Sequence, residues 1–380
     1  MVELLVHSAT YGGALGVVCW LSLLLLPWRP ISTHEQIESD PGQQPNQNLS
    51  DITVLIPARN EAPFIQHTLD GLKAQGEDLQ VIVVDDQSTD ETAQLAYQKG
   101  AQVITGTTPP TGWSGKLWAL EQGLKHITTP YTLLLDADIT LSQGIIATLK
   151  NKILTENRSM VSLMAKPPMD TLIERMLMPA FIFFFKLLYP FGLTNKPDSR
   201  MAAAAGGCIL IETQALRSVG AFSSLHDALI DDCTLAARIK HSGKNIWLGL
   251  SHAACSHRGY QGLGPIWEMV ARTAYTQLNY SMVLLLLCTV IMLSMFWLAP
   301  FAFLLPPDPK TYMISLIACS AMYYAYKPTL NYYRRSPLWI FTLPFTGTLY
   351  LAMTWTSAIR YWRGERARWK DRHYESKTDH

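Results

Sequence analysis

A chain of 380 residues has room for one domain of roughly 200 to 250 residues plus further elements, and 48% hydrophobic residues supply a core without choosing a fold class. The 31 Lys and Arg and 30 Asp and Glu leave a net charge of +1, which excludes the general electrostatic field on which a nucleic-acid partner would rest. Of six cysteines, Cys19, Cys288 and Cys319 lie in apolar runs and Cys208, Cys233 and Cys255 show no C-x-x-C spacing, so neither a zinc site nor a disulfide framework is signalled and a reducing, cytosol-facing domain fits.

In chain order, Ser8 to Pro27 is apolar; its leader carries Glu3 and no Lys or Arg, and no small-residue cleavage site follows, so a retained anchor over residues 1–30 is expected rather than a signal peptide. Residues 31–50, rich in Pro, Gly, Gln and Asn, read as a linker. From Asp51 the runs ITVLIPA, LQVIVV and YTLLL alternate with helical stretches, one from about Glu61 and one from Asp90. That rhythm predicts an α/β fold with a mainly parallel sheet, whose ligands sit at the carboxyl ends of the strands.

The residues after each strand are therefore the candidates. Pro57, Arg59 and Glu61 follow the first and lack the glycine fingerprint of a dinucleotide site. Asp85 and Asp86 follow the second, where carboxylates accept hydrogen bonds from a base or ribose, while Ser88 to Glu91 suits a helix cap. Lys116, in Gly115-Lys116-Leu117-Trp118-Ala119, is either a phosphate partner or an ordinary surface lysine. Asp136 and Asp138 after YTLLL can grip a hard cation that also bridges two phosphates. Gly206 and Gly207 permit close approach of a ligand or serve packing. Asp231 and Asp232 open a helical stretch, as capping residues or as a general base for an acceptor hydroxyl, the reading adopted.

Glu174 to Leu193 is interrupted by Pro179, Lys186 and Pro190 but rich in Phe, Tyr and Met, which suits an interfacial helix or, alternatively, a buried core helix. Further spans are expected at Met282 to Leu305, Thr311 to Tyr326 and Ser336 to Ile359, the last broken by Pro344 and Gly347. Arg29, Lys327, Arg334, Arg335 and the basic tail 360–380 all favour the cytoplasm. Four full spans cannot satisfy them together, and a re-entrant hairpin at Pro344 would, so the number of crossings stays open.

The ordered set P-x-R-N-E, V-D-D-x-S-x-D-x-T, G-K-x-W-A, D-A-D, G-G and D-D, from Asp51 to about Tyr280, resembles glycosyltransferase family 2. The flanking spans, the stretch Met269 to Leu278 and the tail Trp369-Lys370-Asp371-Arg372 look most like the hopanoid-biosynthesis-associated members. The resemblance implies an A-type, Rossmann-like glycosyltransferase domain over 51–280 with an interfacial segment at 174–193 and a transmembrane region at 281–359. It implies Asp85 and Asp86 on the nucleoside, Asp136 and Asp138 on the diphosphate and its Mg²⁺ or Mn²⁺, and Asp232 as catalytic base with Asp231 beside it. Pro57, Arg59, Glu61, Lys116 and Arg272 complete the expected nucleotide-sugar site, with Gly206, Gly207 and Trp267 on the acceptor side.

The Q-x-x-R-W motif of processive members is absent, with Gln261, Trp267 and Arg272 its nearest equivalents, which puts polymer synthesis in doubt. The expected enzyme is an inverting transferase in the inner or plasma membrane, multi-pass, its catalytic domain facing the cytoplasm. It would move a sugar from a nucleotide donor, UDP-linked in expectation, to a lipid acceptor such as a hopanoid. The rivals are a nucleotidyltransferase, which would want a glycine-rich phosphate loop near the first strand, and a catalytically silent membrane scaffold.

Overall fold

The computed structural model describes residues 2–39, 48–76, 78–226, 228, 230–304, 309–365, 368–369 and 372–373. The chain forms two compact units: Glu35–Pro168 with Leu193–Gly259 and Arg366–His380, and Met1–His34 with Met169–Gly192 and Tyr260–Glu365. The domain expected over 51–280 is thus divided, and its 169–192 and 260–280 portions group with the helices.

Among the described residues the main sheet of the first unit has eight strands: β1 (Ile52–Ala58), β2 (Gln80–Asp85), β3 (Gln102–Thr105), β4 (Tyr131–Leu135), β5 (Ile139–Leu141), β6 (Met160–Lys166), β7 (Cys208–Glu212) and β8 (Ile246–Ser256), in the order β3-β2-β1-β4-β7-β6-β8-β5. The β3-β2-β1-β4 half is parallel, as the strand-helix rhythm predicts. Beyond β4 the sheet is mixed, with β7 antiparallel to both neighbours, β6 and β8 parallel, and β5 antiparallel to β8. Every residue of β1 is buried, the mark of a strand covered on both faces. Its alternation divides it between two cores: Val54 and Ile56 on one face of the sheet, Leu55 on the other.

The helix Gly115–Leu124 lies close on the Leu55 face: a Cβ at Gly123 would stand 2.3 Å from Leu55 Cδ1 and 2.8 Å from Val84 Cγ2. The first helix of the unit begins at Ile65 and the next at Thr92, a few residues later than the sequence suggests; the residues between are held across the two loops, where Glu61 N–H donates to Thr92 Oγ1 and Ala62 N–H to Asp90 Oδ2. The segment expected as a plain linker is partly strand-like. Ile37 N–H donates to Leu250 O at 3.0 Å and Leu250 N–H to Glu35 O at 2.9 Å, capping the free side of β8 while Ile37 and Leu49 are buried.

The second unit is helical. Val2–Leu25, Leu172–Leu188, Leu263–Ala271, Met282–Leu293, Pro309–Tyr332 and Leu343–Trp362 are its longer helices. Leu172–Leu188 starts with a capping box between Thr171 and Glu174 and carries Pro179 internally. Most of one side is buried: Phe183 meets Tyr326 edge to face, Leu177 O accepts from Tyr350 Oη, and the buried Lys186 donates to Ile31 O, Ser32 O and Thr329 Oγ1.

Among the described residues no single helix is long and apolar enough to cross a membrane; Leu263–Gln277 and Met282–Leu298 pass only as a pair bent by 118°. The run Met282 to Leu305, expected as one span, is helical only to Leu293, loosens into a π-helical turn over Ser294–Leu298 and stops before Pro300. The apolar stretch near the N-terminus lies almost entirely within the helix Val2–Leu25, and Thr311 to Tyr326 is the middle of Pro309–Tyr332. Ser336 to Ile359 divides into a 3₁₀ turn, Pro337–Thr342, and a helix in which Pro344 occupies the first turn, where its missing N–H has no partner to lose. Pro344 therefore starts a helix rather than bending one. Among the described residues, all but two of the exposed large hydrophobic side chains, Tyr97 and Leu154 being the exceptions, belong to this unit.

Gly123→Ala is expected to destabilise the protein by about 1–3 kcal/mol, since Leu55 and Val84 must shift to admit one methyl in a packed core. A lowered denaturation midpoint at unchanged secondary structure by circular dichroism checks it.

Candidate active site

Because β1, β2 and β4 are parallel neighbours, their carboxyl ends share one edge, and Arg59, Asp86 and Asp136 stand directly after them. Two left-handed residues, Asn60 at φ 52° and Gln87 at φ 55°, turn the β1 and β2 loops back on themselves. The loops then interlock: Asn60 N–H donates to Ser88 Oγ and Thr89 N–H to Asn60 Oδ1. Asp90 accepts from Thr92 and from Ala62 N–H; burial opposes its charge, but these hydrogen bonds hold its carboxyl below the ordinary range.

Inside this frame Arg59 Nη1 donates to Asp86 O at 2.6 Å and lies 3.9 Å from Asp86 Oδ2. Asp85 and Asp86 are both buried. Asp85 Oδ2 accepts from Ser88 N–H, but its Oδ1 is buried with no hydrogen-bond partner among the described residues. An orphaned carboxylate oxygen at a strand end is a place for a ligand's donor.

Lys116, in the first turn of the helix capped by Ser114, binds Asp136 Oδ1 at 2.7 Å and is no ordinary surface lysine. Burial acts against its ammonium, but Asp136, Asp231 and Asp232 together raise its pKa above the usual value, so it stays charged. Asp231 and Asp232 open the helix Asp231–His241. Burial and the neighbouring Asp231 push Asp232 from 3.8 up to about 6, against the opposing pull of the Cys233 N–H, 2.7 Å from Oδ1, and of Lys116. A Cβ at Gly206 would stand 3.1 Å from Asp232 Oδ2, so glycine lets the β7 approach pass against the carboxylate. Gly207 accepts the Asp136 N–H through its carbonyl at 3.0 Å.

Pro57, Lys116, Asp136, Gly206, Asp231 and Asp232 line one cleft together with apolar side chains that include Phe222 and Leu225. Cys208 is no nucleophile here: burial and Asp136 push its thiol up to about 12.

Asp138 faces the end of β8, where Ile139 pairs with Ser256. Its Oδ2 accepts from Ser256 Oγ at 2.8 Å and lies 3.5 Å from Arg258 Nε. Arg258 is also bonded through Nη2 to the buried Glu61 carboxylate, at 2.7 Å to Oε1. Sequence reasoning did not single out Ser256 or Arg258, although the rule that ligands gather at strand ends applies to β8 as to β1. Trp267 and Arg272 belong to the helical unit, on Leu263–Ala271 and at its end. The remaining candidate residues all belong to the sheet unit.

Asp136 and Asp138 offer hard oxygen donors, and no group of three or more His, Cys, Asp or Glu that could hold a metal ion forms among the described residues. Two carboxylates on a strand end fit Mg²⁺ or Mn²⁺ of the kind that takes its other ligands from phosphate oxygens and water.

Residues 53–220 match the profile of the family described as Glycosyl transferase family 2. The match spans less than half of the chain. Over 109 residues the chain is 40% identical to 4,4'-diaponeurosporenoate glycosyltransferase of Staphylococcus aureus, a match that spans 28% of this chain and 29% of that relative. The chain therefore covers less than a third of the relative's length. Across 96% of this chain and 99% of the other, the fold is similar to that of the mannosyltransferase PcManGT from Pyrobaculum calidifontis, solved with GDP-Man and Mn²⁺, at a TM-score of 0.56 and 17% identity. At that identity the likeness is one of fold: the mixed α/β sheet is that of the A-type glycosyltransferases.

Since the folded protein favours neutral Asp232, ionising it costs stability as pH rises from about 4 through about 6. Asp232→Asn is expected to be more stable than the parent by roughly 1–3 kcal/mol at pH 8 and equal to it below about pH 4, as read from denaturation midpoints across pH.

Proposed function

We propose that the protein is an inverting glycosyltransferase that moves a sugar from a nucleotide donor to a hydroxyl of a membrane lipid. The single observation that carries this reading is the cleft in which the Lys116–Asp136 pair faces Asp231 and Asp232. A cation and a cation-binding carboxylate suit a diphosphate, and a carboxylate poised to titrate suits an acceptor hydroxyl.

In this reading Asp85, with its orphaned oxygen, and Asp86, held by Arg59, receive the nucleoside. Asp136 and Asp138 hold Mg²⁺ or Mn²⁺, which when bound neutralises charge on the departing diphosphate. Lys116 adds a fixed positive charge on the same side. Asp232 takes the proton as the acceptor oxygen bonds to the anomeric carbon and the carbon–oxygen bond to the diphosphate breaks. Attack from the face opposite the leaving group inverts the anomeric centre. A base with a pKa near 6 is largely ionised at neutral pH yet still basic enough to pull the proton.

The lipid acceptor rests on two observations. Exposed Leu, Val, Met, Phe, Tyr and Trp side chains are concentrated on the helical unit, as expected of a surface against hydrocarbon. The Staphylococcus aureus relative is named for glycosylating 4,4'-diaponeurosporenoate. A hopanoid or another isoprenoid-like lipid is the acceptor we favour, on the resemblance of the Met269 to Leu278 stretch and the tail. That tail lies largely outside the described residues. The same reading puts the protein in the inner or plasma membrane with the sheet unit toward the cytoplasm.

The test is mass spectrometry of membrane lipids with and without the gene, followed by turnover of UDP- and GDP-linked sugars by the purified full chain with that lipid. A lost hexose-bearing species that the wild type restores and Asp138→Ala does not is the expected result; equal inertness of the two proteins sinks the reading. Asp232→Asn is expected to lower kcat by about 10²–10⁴-fold. The wild-type kcat/KM is expected to rise with pH, levelling off above about 6.

A further inference from the structure

We propose that Arg258 is a resident counter-ion that makes divalent-cation binding at Asp138 conditional on a nucleoside diphosphate. The inference rests on the metal-dependent reading above and concerns what stands at Asp138 before the metal arrives.

Arg258 is fixed from three sides. Its Nη2 is bonded to both oxygens of Glu61, its Cζ lies 4.9 Å from the Phe64 ring centroid, and its Nε reaches to 3.5 Å from Asp138 Oδ2. Burial works against the guanidinium charge, and Asp138 and Glu61 more than offset it. Glu61 is 5% exposed, and a buried carboxylate deprived of its cation is costly, so Arg258 stays with Glu61 whatever Asp138 binds. Asp138 is held differently, by the Ser256 hydroxyl at 2.8 Å and by the looser contact to Nε.

A divalent cation at Asp138 alone would therefore sit beside an immobile guanidinium, and the two cations repel. Lys116, 2.7 Å from Asp136, opposes entry at the other carboxylate in the same sense. A nucleoside diphosphate reverses the balance, since its oxygens ligate the metal and face both resident cations. Metal and diphosphate then bind cooperatively, and the coupling is reciprocal: each tightens the other by the same factor.

The experiment titrates Mn²⁺ into the purified full chain and follows the free-ion signal by electron paramagnetic resonance, alone, with UDP and, separately, with GDP, after subtracting Mn²⁺–nucleotide complexes in buffer. In the wild type, the diphosphate the site accepts is expected to tighten Mn²⁺ at least tenfold. Arg258→Gln is expected to bind Mn²⁺ alone at least threefold more tightly than wild type and to lose at least threefold of the coupling. Arg258→Lys, which keeps the charge, is expected to keep the coupling. Should Arg258→Gln fail to fold, the double variant Glu61→Gln/Arg258→Gln removes the buried carboxylate charge as well and carries the same expectation. Mn²⁺ binding and coupling that do not change on loss of the Arg258 charge overturn this inference alone. No Mn²⁺ uptake by any variant, with or without nucleotide, overturns it together with the metal reading of the site.

Discussion

The structure of the sheet unit turns on charge balance at one edge. Parallel pairing of β1, β2 and β4 delivers Asp85, Asp86 and Asp136 to the same side, and the chain then adds Asp138, Asp231 and Asp232. Carboxylates that close in a partly desolvated place repel unless cations stand among them. Arg59, Lys116 and Arg258 are those cations, each drawn from a different element: the end of β1, a helix N-terminus and the end of β8. Two of them also hold the structure around them, Arg59 by tying the β1 end to Asp86 O and Arg258 by neutralising Glu61.

One carboxylate is left incompletely compensated. Asp232 receives the Cys233 N–H and the distant help of Lys116, but burial and Asp231 outweigh both, and its proton is retained to about pH 6. The imbalance is local and has a structural cause. Lys116 is committed to Asp136, so the Asp231–Asp232 pair has no cation of its own in direct contact among the described residues. A network that fully satisfied every acid would hold no group able to take a proton near neutrality.

Much of this edge is legible in the sequence because its information is local. The consecutive apolar runs and the acids that follow β2 and β4 can be read from a window of ten residues. The antiparallel half of the sheet is less legible, since β7 lies between β4 and β6 in space but follows both in the chain. Arg258 escapes for the same reason: its partner Glu61 is 197 positions away, and nothing near either residue announces the other. The pairing of Glu35 and Ile37 with Leu250 is likewise invisible, because a polar, proline-containing segment carries no strand pattern and only the unfilled edge of β8 calls for one.

The helical unit shows the converse limit, where composition is plain and geometry is not. Hydropathy reads Met282 to Leu305 as one element, but it does not register the π turn at Ser294–Leu298, where Met295 O accepts from Trp20 Nε1 at 2.9 Å. Nor does it anticipate that Lys186, which seems to break an apolar segment, is buried and supplies hydrogen bonds to Ile31 O, Ser32 O and Thr329 Oγ1. The three acceptors come from two separate stretches of chain, so the ammonium fastens the helix Leu172–Leu188 to Pro309–Tyr332 and to the segment that follows the N-terminal helix. A buried cation is costly to leave without hydrogen-bond partners, which gives the unit a directional contact that its leucines and phenylalanines cannot provide. The property that makes 174–193 look like a poor span is therefore the one that gives the helix a defined partner.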